Sequence, residues 1–259
     1  MAKEKLTIVK IGGNIISEDQ KLQDTLTVFS HIKGKKLLVH GGGKTASDLQ
    51  VKLGIQPQMV NGRRITDAES LDVIVMVFAG LVNKTIVSSL QKLGVNAIGI
   101  TGADGNSILA HKREVEKIDY GFAGDLDNVK TSFFRLILDN GLVPICNPVT
   151  HDGKGQLLNT NADTIAASIA SSLASKFHIE LIFCFELAGV LEDINRPDSV
   201  ISKLRRHDYL EYQKLGIIQN GMIPKLDNAF FALQQQVAKV YITNAENILN
   251  PEKCTEICL

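Results

Sequence analysis

The sequence lacks a net charge: 28 Lys and Arg balance 28 Asp and Glu over 259 residues. Such a chain has no global field to attract nucleic acid or an anionic membrane, so any anion site must be local. It also lacks a zinc-ribbon spacing. Its four cysteines, Cys146, Cys184, Cys254 and Cys258, are scattered, and only the C-terminal C-x-x-x-C pair leaves a metal or a disulfide open; reduced thiols are the expectation. No apolar h-region of a signal peptide precedes the strand-like segment near residue 5, which makes the cytoplasm the expected compartment. The notable apolar run, residues 73–82, is far shorter than the roughly 20 residues of a membrane span and reads as a buried helix. Because it is apolar on all sides, burial within one subunit and packing against a partner subunit both fit it. There is no internal repeat, low-complexity tract or Pro-rich linker.

Short apolar runs alternate with helical periodicity along the whole chain. Residues 7–11 and 36–40 read as buried strands, 19–31 and 45–53 as the helices that follow them. A long helix is expected over 66–93, opened by Thr66-Asp-Ala-Glu69 in the capping-box pattern. Residues 96–100 read as a strand, 101–129 as small strands or hairpins, 132–140 as helix, 142–147 as strand, 150–158 as a hairpin and 162–174 as helix. Strand 179–185, helices near 208–215 and 222–236, and strand 239–243 complete the chain. This alternation predicts an open α/β/α sandwich with a mostly parallel central sheet, and ligands in such sheets sit beyond the carboxyl ends of the strands.

Two glycine turns lie at two of those ends: Lys10-Ile-Gly-Gly13 and His40-Gly-Gly-Gly-Lys44. Backbone N–H groups approach an anion closely where no Cβ intervenes, and a helix after each turn aims its positive end at the same point, so a phosphate cradle is expected. Several familiar chemistries are excluded. A P-loop needs a glycine five residues before Gly43-Lys44, where Leu38 stands. An esterase oxyanion loop needs a Gly-x-Ser-x-Gly elbow, and the chain has none. No G-x-G-x-x-G opens a helix and no His-Arg-Asp loop is present, so dinucleotide oxidoreductases and protein kinases lack support. Of the scattered polar candidates, Asn161 and Asp163 have a plain reading as an N-cap and a first-turn acid, and Lys225 as a surface lysine. Lys10 is harder to dismiss, because an unpaired charge inside an apolar strand is costly.

The segments 10–13, 40–43, 61–66, 159–163 and 221–225, in that order, resemble the amino-acid kinase family, and Asn-Gly-x-Arg-x-Thr with Asn-x-Asn-Ala-Asp resembles its branch acting on N-acylated glutamate. The resemblance implies that Lys10 and Lys225 stabilise charge on the transferring phosphoryl group and that Asp163 orients both. Gly13, Gly42 and Gly43 would donate backbone N–H groups to phosphoryl group and substrate, while Arg64 and Asn159 would hold the α-carboxylate and amide of the amino acid. Residues 186–191 and 217–221, with Glu186, Gly189, Leu191, Ile217 and Gly221, would be nucleotide-binding loops. ATP and Mg2+ are the implied cofactors, and no protein side chain is assigned as a metal ligand.

A γ-carboxylate has a reference pKa of about 4.3, so it is already ionised at neutral pH and needs no general base. Catalysis then reduces to positioning and charge stabilisation, which agrees with a motif set that contains no catalytic His. Acyl-glutamate binding is expected in residues 1–175 and ATP binding in 176–259, on one continuous sheet, in a homodimer formed through the 66–93 helix, with neither nucleic-acid nor membrane partners. Two departures from the family pattern stand out. Phe185-Glu-Leu-Ala-Gly189 replaces a Thr/Ser-Asp-Val-x-Gly stretch. Arg63 stands where an apolar residue usually flanks the acyl pocket: it either points to solvent, pairs with a local acid, or meets an acidic acyl group such as succinyl in place of acetyl. A non-catalytic ligand sensor and another kinase of the same fold are the rival readings.

Overall fold

The computed structural model describes residues 3–60, 62–219 and 221–259. In chain order the strands are β1 Lys5–Ile11, β2 Lys35–His40, β3 Met59–Val60, β4 Arg63–Arg64, β5 Ala97–Ile100, β6 Ile108–Lys112, β7 Gly124–Val129, β8 Val143–Cys146, β9 Val149–His151, β10 Leu157–Asn159, β11 His178–Phe185, β12 Lys203–Arg205, β13 Lys239–Asn244 and β14 Thr255–Cys258. The α-helices are α1 Gly13–Ile16, α2 Asp19–Ser30, α3 Gly43–Lys52, α4 Ala68–Val75, α5 Asn83–Lys92, α6 Thr131–Asp139, α7 Ala162–Leu173, α8 Arg206–Lys214 and α9 Met222–Gln234, with a π-helical segment Met76–Val82 joining α4 to α5.

Eight strands form the central sheet in the order β12-β14-β13-β11-β1-β2-β8-β5. From β13 to β5 all neighbours are parallel, and β14 runs antiparallel to β13. Alternation along β1 divides its side chains between two cores: Leu6 and Ile8 pack with α6, α7 and α9, whereas Val9 and Ile11 pack with α2 and the α4 to α5 helix. Lys10 shares the parity of Leu6 and Ile8 and so faces α7. The region expected as small strands, 101–129, supplies β6 and β7 to a second sheet, β10-β9-β6-β7, in which β9 and β10 form the expected hairpin.

Two differences from the expected elements have physical reasons. The long helix begins at Ala68 because Asp67, rather than Thr66, caps it: the Asp67 side chain accepts from Ser70 N–H at 2.8 Å, while Thr66 is buried. Its apolar middle is π-helical, a widened turn that a stretch without hydrophobic periodicity does not announce. As a whole, Ala68–Lys92 is long and apolar enough, by length and composition, to cross a membrane; in the fold Val73, Ile74, Val77, Val82, Ile86 and Leu90 are buried in the second core. The C-terminal cysteines flank and end β14 as free thiols, with Cys254 buried.

Candidate active site

Three charged side chains from three elements meet beyond the carboxyl end of β1. Lys10 lies on β1, Asp163 in the first turn of α7 and Lys225 in the first turn of α9. Lys10 Nζ is 2.8 Å from Asp163 Oδ1, and Lys225 Nζ is 3.3 Å from Asp163 Oδ2. Local chemistry fixes Asp163: the Asn161 side chain caps α7 by accepting from the backbone N–H groups of Asp163 and Thr164 at 2.8 and 3.1 Å. The plain reading of these two residues as cap and first-turn acid therefore holds, and Asp163 carries a second role besides. Burial alone would raise its carboxyl, but the ammonium groups of Lys10 and Lys225 outweigh burial and hold its pKa down to about 2. Burial, then repulsion from Lys10, lowers the Lys225 ammonium. One carboxylate thus faces two cations, Lys10 buried and Lys225 partly buried.

The glycine turns flank this triad. Gly13 opens α1, Gly43 opens α3, and a Cβ on Gly13 would lie 3.9 Å from Gly43 N, so the two turns touch. Gly42 has φ +142°, and a Cβ there would lie 3.0 Å from the Phe78 ring, which restricts the position to glycine.

On one side of the triad is a cavity of about 210 Å³ lined by Gly42, Gly43, Arg63, Arg64, Asn159 and Ala162, among others. Arg64 Nη2 donates to Gly43 O at 2.9 Å and to Ser47 Oγ at 2.7 Å, and Nη1 donates to Gln50 Oε1. Among the described residues no carboxylate pairs with Arg64, and burial lowers its guanidinium pKa. Asn159 Nδ2 donates to Thr66 Oγ1 at 3.0 Å. On the other side a cavity of about 310 Å³ is lined by Lys10, Gly13, Phe185, Glu186, Gly221 and Lys225 among others. The structure thus gathers Lys10, Asp163, Lys225 and the residues expected for the acyl amino acid around one point, with Gly13, Glu186 and Gly221 beside them.

It does not bring Gly189, Leu191 or Ile217 into that lining. Gly189 packs so tightly on Thr255 that a Cβ would lie 2.5 Å from its Oγ1; Leu191 is buried and bridges Val200; Ile217 is partly exposed. Asn61 of the Asn-Gly-x-Arg motif and Asn220 within 217–221 lie outside the described residues. Sequence reasoning missed Arg113 and Gln50. Arg113, on the segment between β6 and β7, lines the 210 Å³ cavity and carries no spacing signal. Gln50 follows Gly43 and Ser47 at helical spacing on α3, and that periodicity is a signal for it.

The family model described as the amino acid kinase family matches residues 5–244. The chain belongs to the amino acid kinase family. It is 54% identical over 246 residues to the acetylglutamate kinase of Phocaeicola vulgatus, covering 95% of this chain and 96% of that one. It is 50% identical over 250 residues to the acetylglutamate kinase of Bacteroides thetaiotaomicron, covering 96% and 97%. The carbamate kinase of Giardia lamblia bound to AMP-PNP has the same fold, with a TM-score of 0.71 at 14% identity and 99% of both chains covered.

Proposed function

We propose that the protein is an ATP-dependent kinase that phosphorylates the γ-carboxylate of an N-acyl-L-glutamate, the acyl-phosphate-forming step of arginine biosynthesis. The observation that carries this is the Lys10–Asp163–Lys225 triad standing between a cavity with an uncompensated arginine and a cavity edged by a glycine turn. Two anions must approach one another in line, and the two lysines supply the positive charge that such an approach requires. Asp163 holds both ammonium groups in place without cancelling them. Gly42 and Gly43 present backbone N–H groups to the acceptor, Arg64 its guanidinium to the α-carboxylate, and Asn159 its amide to the acyl amide. Lys10, Lys225 and the Gly13 turn would hold the phosphates of ATP. Mg2+ when bound would neutralise phosphate charge, and an ion of this kind is commonly held through substrate phosphates. Acceptor binding belongs to residues 1–175 and nucleotide binding mainly to 176–259, in a cytoplasmic homodimer.

The acyl end carries this chain's own chemistry. The 210 Å³ cavity shares Arg63 and Arg113 with a further one of about 490 Å³ that also includes His111 and Lys117. Three acids, Glu114, Glu116 and Asp125, line the larger cavity as well, and Asp125 is engaged by Arg113, whose Nε donates to Asp125 Oδ2 at 2.9 Å. Among the described residues no carboxylate forms an ion pair with Arg63. Arg63 is exposed on β4, so N-acetyl-L-glutamate, the substrate in the name of the acetylglutamate kinase relatives, is the acceptor proposed first, and an acidic acyl group such as succinyl is the variation that Arg63 would admit.

Both levels are tested by ADP release with Mg-ATP and hydroxylamine trapping of the acyl phosphate, run on N-acetyl-L-glutamate, N-succinyl-L-glutamate and free L-glutamate. Trapped product with an acylated compound is expected; turnover with none of them would point to a sensor or another acceptor. Arg63→Leu is expected to shift preference toward the acetyl compound, and an unchanged ratio would remove the acidic acyl group.

A further inference from the structure

Gln50 has no exposed surface. A buried guanidinium ordinarily recruits a carboxylate. At the place where one would fit, Arg64 meets the amide of Gln50, and its other two partners, Gly43 O and Ser47 Oγ, are neutral as well. The orientation of that amide is fixed from behind. Gln50 Nε2 donates to the Ser70 hydroxyl oxygen at 2.8 Å, which turns Oε1 toward Arg64. Donors thus run from Arg64 through Gln50 to the hydroxyl of Ser70, a residue held in the first turn of α4 by its own backbone N–H, which donates to Asp67 Oδ1 at 2.8 Å.

We infer that Gln50 is a positioning residue that sets affinity for the acyl amino acid, because it fixes the Arg64 guanidinium through a neutral oxygen and so leaves its charge for the incoming α-carboxylate. This rests on the proposed role of Arg64 as the partner of that carboxylate. Glutamate at position 50 would offer the same oxygen to Nη1 but convert the held cation into an internal ion pair that competes with substrate. Methionine would keep the side-chain length and release Nη1 without adding charge.

The test is steady-state kinetics and thermal melting of Gln50→Glu, Gln50→Met and Arg64→Gln. Gln50→Glu is expected to raise KM for the acyl-glutamate roughly 10- to 100-fold while kcat and KM for ATP stay within about 3-fold, and Gln50→Met to raise it less, by about 3- to 10-fold. Three results would overturn the inference: an unchanged acceptor KM in Gln50→Glu, equal increases in the two Gln50 variants, or a joint loss of kcat and of both affinities that tracks a lowered melting temperature. If Arg64→Gln itself leaves the acceptor KM unchanged, the reading of the cavity fails and the role of Gln50 with it.

Discussion

At the candidate site the buried Asp163 carboxylate faces the buried Lys10 ammonium and the partly buried Lys225 ammonium, with the exposed Glu186 at the edge of the same cavity. On their proposed role, removing either lysine would remove stabilisation that grows as phosphoryl transfer proceeds: Lys10→Ala and Lys225→Ala are each expected to lower kcat by roughly 100- to 1000-fold in an ADP-release assay. Removing the acid does something else. Asp163→Asn leaves two cations without their common partner, and urea denaturation is expected to show a loss of about 3–5 kcal/mol. The sign of the pH effect follows from a folded pKa of about 2 against an ordinary 3.8. The contribution of Asp163 to stability is complete above the ordinary value and disappears as pH falls through about 2. Lys10 was legible in the sequence because a charge inside an apolar strand demands a partner, though nothing local says which. Asn161 and Asp163 were legible as a cap; the second role of Asp163 exists only once α7 and α9 meet β1. Arg113 stands alone on a connecting segment and gave no local sign.

Among the elements, the long helix reaches the His40 turn through Asn83, the first residue of α5. Asn83 Nδ2 donates to His40 Nε2 at 3.0 Å and to Ile145 O at 2.9 Å, and His40 Nδ1 lies 2.7 Å from Gly41 O, so Nδ1 carries the proton in the neutral ring. Burial lowers the His40 pKa to about 4 from 6.5. Between those values the unfolded chain takes up a proton that the folded one refuses, so stability is full above 6.5 and falls as pH drops toward 4, by about 3 kcal/mol. Urea midpoints of the wild type and His40→Asn across this range check it; the variant is expected to show a flatter acid slope. At this scale the main strands and helices could be read from alternation and periodicity. The hairpin β3–β4 and the strands β12 and β14 were not read there; β3 and β4 have two residues each, too few to establish a period. Thr66 and Asp67 are both good caps by type, and burial of Thr66 beneath Asn159 decides between them.

For the molecule as a whole, the outward face of the Ala68–Lys92 helix carries Met76 and Leu81, each 59% exposed, and this is the surface on which the proposed dimer would close. A charge there opposes burial of the interface: Leu81→Glu is expected to give monomers in gel filtration with light scattering, and an unchanged mass would move the interface elsewhere. The parallel sheet with helices on both faces was legible from the repeated alternation of strand and helix. The reversed direction of β14 was not, since it depends on a connection after β13 built from two 3₁₀ turns, Ala245–Asn247 and Pro251–Lys253. One feature of the sheet bears on the chemistry at a distance. β1, which carries Lys10, lies between β2, whose end releases Gly41 to Gly43, and β11, whose end carries Phe185 before Glu186. Neighbouring strands are held about 4.8 Å apart by their hydrogen bonds, so the two loops start about 10 Å from one another whatever side chains they bear. In the proposed reaction the backbone lattice would thus be the ruler: substitutions in either loop would change which molecules are gripped, while the gap across which the phosphoryl group travels would be written in the spacing of three strands.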